Sequence, residues 1–481
     1  MSRRGPAHRG AAAALAAVLA LGTAMLAPVA TRAADRAAYG GVLRVALPLP
    51  PRLSDPALAR EPQDVWLARA LHATPLSFAG DGQLAPGLLA GVPEPLQGGR
   101  AFQLTLREGL RFSDGTPLLA RDLAASLARL LRPGLASPHA WLAVAIQGAD
   151  EVLEERAAAL SGVQVLSERE LLVTLAFPFP GFPAALAALP AAVVSPAGAG
   201  AGPFRREGPD RLVASEHHWR GRAYADSIAF SAPDPRAAAK GIEAGALDLS
   251  LRPEAAGGGL PVLATSLAFA AVNGRRMGPG APAVRRVLAA LDRKDLVRRF
   301  VRAQAEPLGG LLPVEERDDR APGPVPAGGP APARVVLLVP GWLGDARAVG
   351  ERLQVRLFDA GLHPALEALD QGRYAARLAA GDYDVALLVV PLLSAQPALA
   401  AGQVAQAVGG PRAARRAEQA LAELEPERLQ AAAEGLRAEL DLWPLYAAGG
   451  RVRQAAGVGG VAMWRDGSLD LGDLWRAGTP P

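Results

Sequence analysis

The sequence predicts an α/β protein with more than one domain. Its 481 residues are too many for one ordinary hydrophobic core. Half of the residues are hydrophobic and 20% are charged, a composition typical of globular proteins. Near the C-terminal third, an apolar strand at 334–339, a helix at 346–360 and a second apolar strand at 383–391 follow one another. This order is typical of parallel strands joined through a helix.

Between residues 40 and 251, the sequence predicts short strands that alternate with short helices. Alternating apolar residues predict strands at 40–47, 101–107, 171–177, 211–216, 227–231 and 247–251. Apolar residues at helical spacing predict helices at 64–71, 121–131 and 236–245. The segment Gly80-Asp81-Gly82 predicts a hairpin turn.

The second half is more helical. Residues Ala283 to Arg299 predict one amphipathic helix, and Ala413 to Leu440 predict a mostly helical segment. Between them, Arg317 to Ala333 is rich in Pro and Gly and predicts a linker or surface loop. Short irregular strands are expected at 452–461 and 469–474.

The first 34 residues predict a secretory signal peptide. A basic start with Arg3, Arg4 and Arg9 precedes an apolar run at 11–29, and small residues place a cleavage site after Ala33. An uncleaved membrane anchor is the alternative, because the apolar run approaches spanning length. The chain has no cysteine, so it cannot carry a lipoprotein anchor. We therefore expect a secreted protein of the periplasm that is not a lipoprotein.

The charge of the mature chain argues against a nucleic-acid partner. The whole chain carries a formal charge of +4, and the four arginines of the leader account for all of it. A neutral mature chain lacks the net positive charge that favours binding to the phosphates of a nucleic acid.

Motifs of catalysis are missing from the sequence. There is no Gly-x-Ser-x-Gly elbow, no phosphate-binding loop and no His-x-x-x-His helix. His217 and His218 are neighbours, and neighbours in a strand point to opposite faces, which disfavours a shared metal ion. The absence of cysteine removes thiolate chemistry and Cys-based zinc sites. We expect no catalytic residues, no metal and no cofactor.

Six motifs occur in a recognisable order along the mature chain. They lie at 40–57, 106–118, 200–204, 219–222, 243–249 and 284–293. The most specific is Leu-Arg-Glu-Gly-Leu-Arg-Phe-Ser-Asp-Gly-Thr-Pro-Leu at 106–118, followed by Ala-Arg-Asp-Leu at 120–123. In these segments the chain resembles the extracellular solute-binding proteins (family 5 type) of oligopeptide, dipeptide and nickel ABC importers.

The resemblance implies a two-lobed periplasmic-binding-protein-like fold with a hinge and an interlobe cleft. The first lobe would be discontinuous, residues 35–265 with 445–481, and the second lobe would be residues 270–440. A monomer would bind a peptide or peptide-like solute between the lobes and deliver it to ABC permease subunits in the inner membrane.

One segment departs from the family pattern. In peptide-binding members, an acidic residue after the strand that corresponds to 383–390 pairs with the α-amino group of the peptide. Residues 391–397 contain no acid and no aromatic residue, and the Pro/Gly-rich stretch suggests a shortened second lobe. A periplasmic relative without a transport role, acting in interaction or sensing, is therefore the alternative function.

The resemblance also suggests where ligand contacts lie. The candidate ligand-binding residues are His72, Trp141, Phe269, Asn273, Pro391, Leu392 and Ser394. His72 follows the first helix, where the family lines its cleft, and a surface histidine is the alternative. Trp141 is a candidate for stacking on ligand, with a core tryptophan as the alternative. Phe269 and Asn273 lie near the predicted crossing into the second lobe.

Overall fold

The computed structural model describes residues 37, 39–50, 55–79, 82–252, 259–312, 334–463 and 468–477. The predicted leader, the turn residues 80–81 and the Pro/Gly-rich stretch at 317–333 lie outside these ranges. Among the helices described, none has both the length and the apolar character that a membrane crossing needs.

The described residues form short strands and helices that alternate along the chain. The strands are β1 Val42–Ala46, β2 Leu76–Phe78, β3 Leu84–Pro86, β4 Ala101–Thr105, β5 Val163–Val165, β6 Glu170–Thr174, β7 Phe204–Arg206, β8 Arg211–Ala214, β9 Ser227–Ser231, β10 Leu249–Arg252, β11 Leu260–Val272, β12 Ala305–Pro307, β13 Val335–Pro340, β14 Pro364–Leu369, β15 Val385–Pro391, β16 Leu442–Gln454, β17 Val458–Gly459 and β18 Trp475–Arg476. The helices are α1 Pro62–Leu71, α2 Ala120–Arg129, α3 Ala149–Leu153, α4 Pro235–Glu243, α5 Gly274–Met277, α6 Ala281–Ala289, α7 Arg293–Phe300, α8 Gly344–Asp359, α9 Gln371–Ala379, α10 Pro397–Leu421 and α11 Pro426–Glu439.

One large sheet runs through the molecule. Its order is β14-β13-β15-β11-β16-β10-β1-β9-β8-β7, and β12 pairs with β16. Strand β13 is parallel to β14 and β15, which confirms the parallel arrangement predicted for the C-terminal third. Strand β1 is likewise parallel to β9 and β10. The α/β prediction is therefore confirmed.

Two long antiparallel strands join the two sets of parallel strands. Strand β11 pairs with β16 from Leu260 opposite Val452 to Ala271 opposite Leu442. The pairing shifts register between Val262 and Ser266. Such an irregularity bends a strand locally, so the sheet changes direction at this point.

Strand β11 lies between two hydrophobic cores, because its successive side chains point to opposite faces. Leu267 and Phe269 face a core that also contains Trp141, while Ala268 and Ala270 face the core of the C-terminal parallel strands. Each of these five side chains is essentially inaccessible to solvent. The core that contains Phe269 draws residues from both the N-terminal half and helix α10, so it spans the junction.

Two helix predictions are corrected by the structure. The helix predicted from Ala283 to Arg299 is two helices, α6 and α7, because the carboxylate of Asp292 accepts a hydrogen bond from the Asp295 amide (2.8 Å) and starts a new helix. The helical segment predicted to begin at Ala413 begins at Pro397 and is interrupted at Gly410, where φ is 69°. A positive φ suits glycine and breaks the helical hydrogen-bond pattern.

A close backbone approach explains one of the recognised motifs. The Gly202 amide donates a hydrogen bond to the Leu71 carbonyl oxygen (3.0 Å). A Cβ at position 202 would overlap the Leu71 backbone and lie 2.6 Å from the Ala70 carbonyl oxygen. The motif at 200–204 therefore needs a residue without a side chain where it crosses the end of α1.

We expect Gly202→Ala to lower the free energy of unfolding by about 1–3 kcal/mol, because the backbone of α1 must move to admit the methyl group. Urea denaturation followed by circular dichroism measures the change. Gly208→Ala is the matched control, since a Cβ at that position meets no atom within 4 Å. Equal stability of the two variants would contradict this account of the motif.

Candidate functional site

The carboxyl ends of the two sets of parallel strands meet near the middle of the sheet. Pro391 ends β15 and pairs with Ser266, which also pairs with Ala448 of β16. Arg252 ends β10 and pairs with Arg451 of the same strand β16. Positions 448 and 451 are about 10 Å apart along a strand. Open α/β sheets bind ligands outside the carboxyl ends of their strands, so this junction is the candidate site.

A hydrogen bond crosses the junction from one half of the chain to the other. Trp342 follows β13, and its Nε1–H donates to Glu61 Oε1, 2.8 Å away, at the start of α1. The ring of Tyr374 packs edge-on against Trp342 with the centroids 5.5 Å apart. The Tyr374 hydroxyl donates to the Leu387 carbonyl oxygen at 2.8 Å, which fixes the ring. Two aromatic side chains therefore hold a carboxyl group of the opposite half.

Burial perturbs the charges at this contact. Burial raises the pKa of Glu61 above its usual value; the Trp342 hydrogen bond opposes this rise, nearby Asp64 adds to it, and Arg60 opposes it. Burial lowers the pKa of Arg60, and the charge of Glu61 opposes that change. Within the described ranges, Arg60 makes no hydrogen bond or ion pair. The junction thus contains a carboxyl group and a guanidinium group that are both partly buried.

A second contact between the halves lies beside the first. Gln406 of α10 accepts a hydrogen bond from the Trp141 amide at Oε1 (2.6 Å) and donates from Nε2 to the Ser137 carbonyl oxygen (3.1 Å). Both side-chain groups therefore bind the backbone of one turn, which fixes the position of α10 on that turn. Two ion pairs extend this contact: Arg412 with Glu154 and Arg415 with Asp150.

His139 lies in the same turn and stays neutral at physiological pH. Its Nε2 is 2.7 Å from the Ala59 carbonyl oxygen, which assigns the proton to Nε2. Burial lowers the pKa of His139 to about 4; the Ala59 hydrogen bond opposes this change, and the charge of Arg60 adds to it. Among the residues described, His139 Nδ1 and Trp141 Nε1 have no hydrogen-bond partner.

The predicted segment 391–394 lies at the junction. The side-chain Nε2 of Gln403 donates to the Pro391 carbonyl oxygen, and the backbone amide of Leu393 donates to Gln403 Oε1 at 3.2 Å. Leu392 is half-buried, and Ser394 is buried with its hydroxyl accepting from the Gln396 amide at 3.2 Å. The segment is therefore held mainly through its backbone.

The other predicted residues are spread more widely. Phe269 and Trp141 are fully buried, so neither ring offers a free face for stacking in this conformation. Asn273 binds the Gly381 carbonyl oxygen through Nδ2 at 2.9 Å. It lies seven positions after Ser266, about 23 Å from the junction if the strand spacing is continued. The structure therefore separates Asn273 from Pro391.

His72 lines a cavity of about 470 Å³ in the N-terminal half, and all of the residues that line this cavity belong to that half. They are Asp55, His72, Asp122, Ala125, Ser126, Arg129, Arg132, Val194, Ser195, Pro196 and Gly198. Arg129 and Asp55 form an ion pair in its wall. The cavity has both polar and apolar lining, and neither Trp342 nor Gln406 contributes to it.

A second cavity, of about 530 Å³, is lined by Arg276, Arg334, Val336, Glu367, Arg377 and Asp384. Asp384 precedes β15 and Val336 is the second residue of β13, so this cavity lies at the amino ends of the parallel strands. That is the edge opposite the one where open α/β sheets bind ligands. Across the described part of the chain, no group of three or more His, Asp or Glu side chains could hold a metal ion.

The residues of the junction that were missed from the sequence include Arg60, Glu61, Trp342 and Gln406. The proline at position 62 is a local signal for the start of α1, and it places Glu61 at the N-cap position. No local signal pairs Glu61 with a tryptophan 281 positions later in the chain. Only the fold brings these two together.

The profile described as "Bacterial extracellular solute-binding proteins, family 5 Middle" matches residues 83–391. Among curated proteins, the chain is 40% identical over 111 residues to the Escherichia coli protein named "Probable deoxycholate-binding periplasmic protein YgiS", covering 22% of this chain and 21% of that one. It is 28% identical over 264 residues to "Protein XP55" of Streptomyces lividans, covering 49% and 46%. The matched segments therefore span less than half of these relatives.

Solved structures match over almost the whole chain. Escherichia coli murein tripeptide binding protein MppA superposes with a TM-score of 0.73 at 18% identity, covering 92% of this chain and 100% of that one. Haemophilus influenzae OppA in complex with the peptide RPPGFSPFR gives a TM-score of 0.74 at 16% identity, with the same coverage. At this level of identity, the likeness confirms the two-lobed fold and does not identify a ligand.

Proposed function

The chain belongs to the bacterial extracellular solute-binding proteins of family 5, and from that membership we propose that it is the substrate-binding component of an ABC importer. Its ligand is a peptide or peptide-like solute that binds between two lobes. The observation that supports this proposal is the junction itself, where Trp342 of one half binds the partly buried Glu61 of the other.

The lobes proposed for this function are residues 35–265 with 445–481 and residues 270–440. Strands β11 and β16 cross between them, and the register shift after Val262 is a natural place for hinge bending. Closure about this hinge brings Trp342 onto Glu61 and Gln406 onto the turn at 137–141. A permease can distinguish the closed form from the open form by these rigid-body positions.

The proposed setting follows from the predicted leader and from the relatives. The protein is exported by its signal peptide, acts in the periplasm without a lipid anchor, and works as a monomer with permease subunits of the inner membrane. It binds and releases its ligand without chemical change, so it is not an enzyme. The structural matches above name a murein tripeptide and the peptide RPPGFSPFR, and this supports a peptide ligand here.

A non-transport relative that acts in interaction or sensing is the second candidate, and one observation favours it. Gln406 and two ion pairs connect the halves directly. A protein that stays closed in this way would present a fixed surface to a binding partner and would not release a transported ligand. A population that opens without ligand favours the importer, whereas permanent closure favours the relative.

We expect the purified mature protein to bind short peptides saturably. Native mass spectrometry should show a one-to-one complex, and the melting temperature should rise with peptide concentration. At a peptide concentration of 100 times Kd, binding adds about 2.7 kcal/mol to the free energy of unfolding. A sugar mixture and a nickel chelate serve as controls that should cause no shift. A protein that stays in its apo mass and shows no shift with any peptide would overturn the proposed importer function.

A further inference from the structure

The cavity of about 470 Å³ in the N-terminal half lies beside helix α2, and its volume is within the range of small-molecule sites. Four residues of α2 line it at a spacing of three, one and three positions, which puts them on one face of the helix: Asp122, Ala125, Ser126 and Arg129. Residues of the loop 194–198 also line it. The described lining therefore joins one helix face to one loop and takes no residue from the second half.

Hydrogen bonds hold this loop on the helix. Ser126 Oγ donates to the Asp122 carbonyl oxygen (2.7 Å) and accepts from the Val194 amide (3.1 Å), so it connects α2 to the loop. Ser195 Oγ accepts from the Ala199 amide at 2.9 Å, which closes the loop on itself. The protein alone fixes both walls, so a ligand does not have to order them on binding.

The two acidic residues of the cavity already have partners inside the protein. Asp55 Oδ1 accepts from the Ala57 amide (2.9 Å), and Oδ2 pairs with the guanidinium group of Arg129. Asp122 Oδ2 accepts from the Leu119 amide (2.8 Å) in the first turn of α2, where the helix dipole favours a negative charge. Both carboxylates therefore stabilise the fold itself, and neither needs a cation from outside.

The hydrogen-bond donors of the cavity are only partly used. Arg129 has five side-chain N–H donors, and its bond to Asp55 is their only one to the described residues. Arg132 is exposed and reaches only the Ala158 carbonyl oxygen, at the long distance of 3.5 Å. The Ser195 hydroxyl proton has no acceptor in the described ranges. The cavity therefore offers donors to an anion.

The charge of the lining favours a monoanion. Two arginines and two aspartates line the cavity, so their charges cancel, and the Asp55–Arg129 pair is neutral by itself. Arg132 can compensate one negative charge, whereas Asp122 would repel a second one. The lining also includes three apolar residues, Ala125, Val194 and Pro196. A ligand that suits this lining has one negative charge and an apolar body.

We infer that this cavity is a second binding site, and that it takes a short aliphatic monocarboxylate whose carboxylate binds Arg129 and Arg132. Arginine suits this group because its planar fork donates two parallel hydrogen bonds to a carboxylate. The Ser195 hydroxyl is a further donor, and the aliphatic part packs on Val194 and Pro196. The site lies within one half, so it needs no closure of the halves and goes beyond the proposed function.

Butyrate is the probe, and its affinity for the purified mature protein is measured by ligand-observed NMR titration. We expect saturable binding at one site. Butyramide has nearly the same size without the charge, and it should bind about tenfold more weakly, because the hydrogen bonds to a charged group are lost. Inorganic phosphate at the same concentration should not displace butyrate.

The variants locate the site. Arg132→Gln removes donors at an exposed position and should weaken butyrate binding about tenfold. Arg121→Gln is the matched control and should bind butyrate like the wild type, because Arg121 is an exposed arginine of the same helix that does not line the cavity. Ala125→Glu adds a carboxylate to the lining and should abolish binding, whereas Ala125→Gln adds a side chain of the same size and should bind more tightly than Ala125→Glu. Melting temperatures of the variants identify a loss of binding that comes from misfolding.

The outcomes separate this inference from the proposed function. The inference fails if butyrate does not bind saturably, if butyramide or phosphate binds as tightly, or if Arg132→Gln and Arg121→Gln behave alike. It also fails if a short peptide competes with butyrate, since the cavity would then belong to the ligand site between the halves. None of these results affects the importer function. A protein that binds butyrate but no peptide would keep this site and lose the importer function.

Discussion

Replacing Asp248 by alanine is expected to lower the free energy of unfolding by about 2–4 kcal/mol, since it removes the buried carboxylate that accepts hydrogen bonds from both the amide and the side chain of Arg44. Asp248 is completely buried just before β10. Its carboxylate accepts hydrogen bonds from the Arg44 amide (2.8 Å) and from Arg44 Nε (3.1 Å). Arg476 Nη1 lies 3.4 Å from its other oxygen, so three segments distant in sequence meet at one carboxylate.

Denaturation in urea, followed by circular dichroism, measures the loss for Asp248→Ala. Glu351→Ala is the control, because Glu351 pairs with Arg347 one helical turn away on the exposed face of α8. Such surface pairs contribute about 0–1 kcal/mol. If Asp248→Ala cost no more than Glu351→Ala, the carboxylate would not tie β1 to β10 as the geometry indicates.

Asp248 also shows how far the sequence predicts this fold. It belongs to the motif at 243–249, so the sequence marks the segment, and the helix and strand around it were predicted close to their observed bounds. Its partners Arg44 and Arg476 lie 204 and 228 positions away, and no local pattern indicates them. Local periodicity therefore predicts elements, whereas the charge contacts that join the elements depend on the sheet order.

The same distinction holds at the junction. The segment 391–394 follows an apolar strand and was predicted to face the cleft, and it lies at the carboxyl edge of the sheet. Strands β11 and β16 were not predicted at their full length of 13 residues, because small residues and glycines weaken the alternation along them. Without these strands, the sequence places Asn273 near the hinge, although the pairing of β11 carries it to the opposite end.

A buried carboxyl group in α10 gives the second large expected effect. Glu418 is fully buried, and neither of its oxygens has a hydrogen-bond partner within the described ranges. It lies against Gly402 on the other limb of the interrupted helix, where a Cβ would come 2.5 Å from its Oε1. Burial raises the pKa of Glu418 well above its usual value, so folding favours the protonated form.

The sign of the pH dependence follows from this shift. Because the pKa is higher in the folded state than in the unfolded state, the folded protein binds more protons between the two values. The contribution of Glu418 to stability is therefore most favourable below the unfolded pKa of about 4.3, and it falls as the pH rises towards the folded pKa. Above the folded pKa, the carboxyl group is ionised in both states, so its effect on stability no longer changes with pH.

Glu418→Leu should raise the free energy of unfolding at pH 7 by about 2–4 kcal/mol, because it removes two buried oxygens that have no partner and keeps a side chain of similar size. Glu418→Gln separates charge from polarity: it should remove the pH dependence that Glu418 causes while keeping a buried polar group. Both are measured as differences from the wild type in urea denaturation between pH 4.5 and 8, so that other titrating groups cancel.

Exposed Glu423 supplies the control Glu423→Gln, which should follow the wild type at every pH. A difference between the wild type and Glu418→Gln that stays constant over this range would mean that Glu418 has the same pKa in the folded and unfolded states, and that its oxygens are solvated despite their position.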